Sequence, residues 1–135
     1  MQVKLRFPIK GLYYYSAEQL FDLQLIKAHR HLTIELEPGN RFDANAIQLW
    51  LRLPEQNFLV GYVPRQLAKI IRHALNEQQI LKLENRISCA NRIGKWMEIE
   101  LQLNIDLGWQ DAMSAMLFAL WLRQRHNWQK IKKKK

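Results

Sequence analysis

A chain of 135 residues, 48% of them hydrophobic, is long enough to bury one core of ordinary size and too short for two. Its single cysteine, Cys89, excludes an intrachain disulfide framework, and no Cys/His spacing fits a zinc site, so a reducing compartment is expected. The formal charge of +9 lies mostly at one end: up to Leu122 there are 14 lysines and arginines against 12 acids, whereas Arg123 to Lys135 carries seven basic residues and no acid.

Val3, Leu5 and Phe7 alternate with Lys4 and Arg6, the pattern of a strand with one buried face. Gly11, Leu12 and three tyrosines, Tyr13 to Tyr15, follow. Ser16 is a predicted helix cap with Gln19 as its capping-box partner, and Leu20, Phe21, Leu23, Leu25 and Ile26 supply the apolar face of a helix of about three turns. His31 to Glu37 reads as a strand that Pro38 and Gly39 stop. Ile47, Leu49, Leu51 and Leu53 alternate with Gln48, Trp50 and Arg52, and after a turn at Pro54 to Asn57 a returning strand runs from Phe58 to Val63.

Pro64 suits the first turn of a helix, where its missing N–H would have been unpaired anyway, and Leu67, Ala68, Ile71, Ala74 and Leu75 follow at helical spacing. Ile80 to Ala90 and Lys95 to Ile105 read as a second hairpin around Asn91 to Gly94. From Trp109 a helical stripe of Trp109, Ala112, Met113, Met116, Leu117, Leu120 and Trp121 leads into the basic tail Lys130 to Lys135. About six strands, two inner helices and an added C-terminal amphipathic helix point to a mainly β domain over 1–108, a small partly open barrel of the OB or SH3 kind, with the helix and tail over 109–135.

Three consecutive tyrosines cannot all face a core, so at least one ring is expected at a rim, where it could stack on a nucleobase or simply pack with its hydroxyl in water. The loop Asn40 to Asn45 offers two uses of Asp43: it can hold its own loop as Asx turns do, or point outward to accept a hydrogen bond from a ligand hydroxyl while Phe42 stacks on a ring. His29, His31, His73 and His126 share no metal spacing, Cys89 reads as an inert thiol in a strand, and no Gly-rich phosphate loop exists. Neither a cofactor, a metal nor a catalytic constellation is expected.

The stretch GNRFDANAI followed by VGYVPRQLA, with GLYYY upstream, resembles the HIRAN domain over roughly Lys4 to Ile105. That resemblance implies an OB-like barrel that binds DNA, in some members the 3′ end of single-stranded DNA at damaged or stalled replication forks, and hence a role in DNA repair. It implies that Tyr14 and Phe42 sandwich terminal bases, that Asp43 accepts from the 3′-hydroxyl, and that Asn40, Tyr62 and Arg65 meet the base or the phosphates. Two positions depart from the pattern of the end-binding members: Tyr13 stands where they carry an arginine, and Tyr62 where they carry a histidine. The segment Ser16 to His31 is longer than the family usually has.

Without an ATPase motif in these residues, the chain is expected to be a non-enzymatic binder, or an interaction module for a separately encoded helicase or nuclease. Lys130, Lys132, Lys133, Lys134 and Lys135 would add sequence-blind affinity for DNA, or serve only as a solvated terminus. The C-terminal helix would pack on the barrel, pair with a copy of itself or a partner, or lie on an acidic membrane, in that order of preference. Residues 1–10 lack the apolar stretch of a signal peptide, and the longest apolar run, Ala115 to Leu122, is far short of the roughly 20 residues that span a bilayer, so a cytoplasmic protein is expected.

Overall fold

The computed structural model describes residues 1–37 and 39–134, the side chains of Lys133 and Lys134 excepted. Pro38, the predicted stop of a strand, and Lys135, a predicted DNA contact, lie outside the described residues. Among the described residues six strands are formed: β1 (Gln2–Pro8), β2 (Thr33–Leu36), β3 (Ile47–Arg52), β4 (Asn57–Tyr62), β5 (Glu84–Ile93) and β6 (Trp96–Asp106). The helices are α1 (Ala17–Asp22), α2 (Arg65–Ala74), α3 (Glu77–Leu81) and α4 (Trp109–Lys134), with a 3-10 turn at Leu12–Tyr14.

The alternation read from the sequence is the alternation of burial. Leu5 and Phe7 of β1 are buried between exposed Lys4 and Arg6, and Ile47, Leu49 and Leu51 of β3 line the same core. The strands form two antiparallel sheets, β1-β6-β5 and β2-β3-β4, rather than one continuous barrel ladder. Two irregular seams join them. At one, Lys10 and Tyr62 exchange backbone hydrogen bonds of 2.9 and 2.8 Å. At the other, the chain entering β2 runs beside β5: Ile87 N–H donates to Arg30 O, His29 N–H to Ile87 O, and the buried Asn85 amide satisfies both the N–H and the C=O of Leu32 at 2.9 Å.

Three sequence expectations are corrected. The helix after Ser16 has six residues instead of three turns, and Ser16 makes no side-chain cap. It ends early because Gln24 adopts a left-handed φ of 58°, and the N–H groups of Gln24 and Leu25 turn back to Phe21 O and Leu20 O, a Schellman termination with glutamine in glycine's usual place. Ile80 does not begin a strand; it is the buried residue of α3, whose N-terminus is closed by a capping box between Asn76 and Gln79. The following hairpin turns tightly at Gly94 and Lys95, since Ile93 already pairs with Trp96.

The third correction concerns α4. Its packing face is Ala112, Ala115, Ala119 and Leu122, whereas Trp109, Met113, Met116, Leu117, Leu120 and Trp121, expected inward with Ala112, are exposed. Small side chains let the helix lie close along β1, with further contact to α2. Its last turns are fastened to β6 by charge. Glu98, with a side chain only 7% exposed, accepts from Lys130 Nζ at 2.5 Å, from Asn91 Nδ2 at 2.6 Å and pairs with His126 Nε2 at 2.8 Å, while Arg123 Nε lies 2.6 Å from Glu100 Oε1.

Gly61 makes the Lys10–Tyr62 seam possible. A Cβ there would lie 2.3 Å from Lys10 O and 2.6 Å from Ile9 Cγ2. Gly61→Ala should therefore lower stability in urea unfolding by about 1–3 kcal/mol, while Gly39→Ala, which meets nothing within 4 Å, should stay within about 0.5 kcal/mol of the parent. Burial opposes ionisation of Glu98, but the hydrogen bonds from Lys130, Asn91 and His126 outweigh it and hold the carboxyl below its usual range. A depressed folded value stabilises the fold above the unfolded value of about 4.3 and ceases to do so as pH falls through the folded one. Glu98→Gln should thus destabilise at neutral pH by about 1–3 kcal/mol, with the difference shrinking in the same unfolding experiment at acid pH.

Candidate nucleic-acid interface

The polar loop between β2 and β3 is built by its own side chains. Asn40 Oδ1 accepts from the N–H groups of Phe42 and Asp43 at 2.9 and 3.1 Å, and Asp43 Oδ1 accepts from Asn45 N–H at 2.9 Å. These are Asx turns, which stabilise the loop without regular pairing. Arg65, the first residue of α2, reaches across and donates from Nη2 to Phe42 O at 2.6 Å. With its backbone held from both sides, Phe42 turns its ring outward and is 85% exposed. Asp43 thus takes the loop-holding role on one oxygen while the residue still lines the neighbouring cleft.

The tyrosines fan apart because the 3-10 turn starts at Gly11 in the left-handed region, φ 84°. Tyr13 turns toward β6, where its hydroxyl accepts from Met97 N–H at 3.0 Å beside Ile93, Lys95 and Trp96. Tyr14 points outward, 85% exposed, and does not line the cleft beside Phe42. Tyr15 folds back over Gly11, its ring 2.9 Å from where a Cβ would stand, and meets Tyr62 with ring centroids 5.6 Å apart. Tyr14, expected to sandwich terminal bases with Phe42, is thus not brought to the cleft that Phe42 lines; Tyr15 is the member of the triplet that reaches it.

Tyr62 is buttressed more than it is free. Its hydroxyl donates to Glu37 Oε2 at 2.5 Å, Gln48 Nε2 bridges both at 3.3 and 3.0 Å, and Gln48 Oε1 in turn accepts from Trp50 Nε1. Burial first, then the bond to Glu37 and the nearby Tyr15, pushes the phenol up to about 12 against the opposing bond from Gln48. Tyr62 thus presents a fixed neutral ring.

These elements enclose an open cleft of about 550 Å³, within the range of small-ligand sites. Asn40, Phe42, Asp43, Tyr62 and Arg65, five of the seven residues expected in the site, line it, as do Lys10, Tyr15 and, from α4, Phe118, Trp121, Leu122 and Arg125. The sequence reading missed this second group. Its only local signals were the i, i+3, i+4, i+7 spacing of Phe118, Trp121, Leu122 and Arg125 and the position of Lys10 before Gly11. Lys10 is an exposed residue overall, yet burial of its ammonium's surroundings and then the nearby Arg125 hold it below the usual lysine range.

Other candidates separate from the cleft. Cys89 is half-buried in β5, and burial with Glu98 and Glu100 close by raises its thiol above the usual range, which favours the unreactive protonated form. Lys130, expected to contact DNA, is committed to Glu98, and Lys132 lies 5.6 Å over the Trp128 ring; the Lys133 and Lys134 side chains lie outside the described residues. Among the described residues no three His, Cys, Asp or Glu side chains converge as metal ligands, and no helix is long and apolar enough to cross a membrane.

The family model described as HIRAN domain matches residues 2–107. No curated protein and no solved structure matches the chain.

A tyrosine whose folded value is raised stabilises the fold below its unfolded value of about 10, and this is lost as pH rises toward the folded value. Ultraviolet titration of the intact protein should show a tyrosinate step near pH 12. Tyr62→Phe should abolish that step; its persistence in the variant would mean that another phenol carries it.

Proposed function

The chain belongs to the HIRAN domain family, a family of DNA-binding domains, and we propose that it takes single-stranded or 3′-ended DNA into the cleft between the Asn40–Asn45 loop and α4. The reading is that of a binding module without catalytic chemistry, serving damaged or replicating DNA in the cytoplasm. The observation that carries it is the convergence of Asn40, Phe42, Asp43, Tyr62 and Arg65 on one cleft, although they lie as much as 25 residues apart in the chain. Phe42 and Tyr15 offer ring faces for bases, and Arg65, with one donor used on Phe42 O, keeps others for a phosphate. The Asp43 oxygen that Asn45 does not use is the acceptor for a terminal 3′-hydroxyl. We read the two sheets and their seams as a partly open OB-like barrel, the architecture that carries such clefts.

A second reading has its own observation. The outward face of α4 leaves Met113, Met116, Leu117 and Leu120 exposed along a groove with Lys4, Arg6 and Arg123, which suits a docking module for a helicase or nuclease, or self-association. Size-exclusion chromatography of the chain with Leu117→Glu separates the two: a change of oligomeric state with DNA affinity intact assigns that face to protein contact.

Fluorescence anisotropy with short single-stranded oligonucleotides tests the first reading. Phe42→Ala should weaken binding by about 1–3 kcal/mol, the value of one stacked base. A 3′-phosphate should bind more weakly than a 3′-hydroxyl, and Asp43→Ala should remove that preference. Equal affinity of the unaltered protein for the two ends would contradict end recognition, and absence of binding to any DNA at low salt would contradict the whole reading.

A further inference from the structure

The family match ends at residue 107, and α4 begins at Trp109. Yet this helix forms one side of the cleft: Leu122 is buried as its anchor, Phe118 is half-buried, and Trp121 and Arg125 stand exposed along the same edge. We propose that α4 is part of the nucleic-acid site itself, Arg125 and Lys10 together taking a backbone phosphate of the bound strand while Trp121 packs against the adjoining base or sugar. This rests on the DNA-binding reading above and adds to it binding residues outside the family-matched segment.

The charge pattern of the helix carries the argument. Toward β6 its cations are neutralised: Arg123 by Glu100, and His126 and Lys130 by Glu98. Toward the cleft, Arg125 has no acidic partner among the described residues, and neither has Lys10. Two cations close enough to repel each other, in a cleft where Asp43 is the one carboxylate among the described lining residues, leave a net positive field that an anion would complete. Arg65 adds a third positive charge to the lining.

The arginine is also held in place. Its guanidinium lies 5.5 Å over the Trp121 ring, a cation–π contact that orients the planar donor fork before any ligand arrives. Phosphate recognition by arginine depends on that fork, so a pre-oriented Arg125 sacrifices less freedom on binding than a solvated one. A cleft walled by phenyl, phenol and indole rings with cations between them matches a single strand, whose bases are free to stack and whose phosphates follow at regular intervals. The bare alternative is that Arg125 only shields Trp121 from water.

Anisotropy of a labelled oligothymidylate with the full chain decides between them, comparing Arg125→Gln, Trp121→Ala and Lys132→Gln, each checked for folding by circular dichroism. Trp121→Ala should bind at least about 5-fold more weakly. Arg125→Gln should bind more weakly and lower the slope of log affinity against log salt by about 1. Lys132→Gln, an equal loss of charge further along the same helix, should change affinity less than Arg125→Gln. If Phe42→Ala weakens binding but Arg125→Gln and Trp121→Ala bind as the unaltered protein does, the role of α4 is overturned while the DNA-binding reading stands. If Arg125→Gln and Lys132→Gln lose affinity equally, the contribution is long-range charge and the proposed contact is overturned. Failure of the unaltered protein to bind any single strand overturns both.

Discussion

Two backbone hydrogen bonds between Lys10 and Tyr62 hold the site together. They form only because Gly61 has no side chain, so that the chain leaving β1 can press directly onto β4. From that contact the rest follows in order. Lys10 is set at the cleft, Gly11 turns left-handed immediately after it, and the tyrosine triplet is dealt to different surfaces, with Tyr15 returned against Tyr62. On the other strand Tyr62 is fixed by Glu37 and Gln48, and Pro64 starts the helix whose first residue, Arg65, ties down the Phe42 loop. A binding face assembled from four separated segments thus depends on one close approach of backbone to backbone.

The electrostatics divide along α4. Charges that fasten the helix are paired, partly buried and on the β6 side; among the described residues the cations at the cleft have no acidic partner. The first kind contributes to the fold, because leaving Glu98 without its donors would strand a buried carboxylate. The second kind contributes little to stability in water and more to a ligand that excludes it. The formal charge of +9 therefore says less about recognition than its distribution does, since one of the tail lysines, Lys130, serves as a structural clamp.

Much of the fold was legible in the residues. The alternation in Val3 to Phe7 and Ile47 to Leu53 gave strands within a residue or two, as it must where a period of two decides which side chain is buried. The Asn40–Asn45 loop was legible too, because Asx hydrogen bonds are local. What escaped depended on distant partners. Nothing near Tyr14 and Tyr15 tells which of them faces the cleft; Tyr62, forty-seven residues beyond Tyr15, decides it. The packing face of α4 escaped because hydrophobicity favours the large apolar residues for the inside, while close contact with β1 selects Ala112, Ala115 and Ala119. The capping box at Asn76 to Gln79 was a readable signal that the expectation of a strand from Ile80 overlooked.

The most direct measurement is a nuclear magnetic resonance titration of the isotopically labelled chain with a short 3′-hydroxyl single strand. Chemical-shift changes are expected at Lys10, Tyr15, Asn40 to Asp43, Tyr62 to Arg65 and the indole N–H of Trp121, with little change at Tyr13 and Trp96 on the other surface. Shifts confined to the basic end of α4, with the cleft residues unmoved, would contradict binding in the cleft.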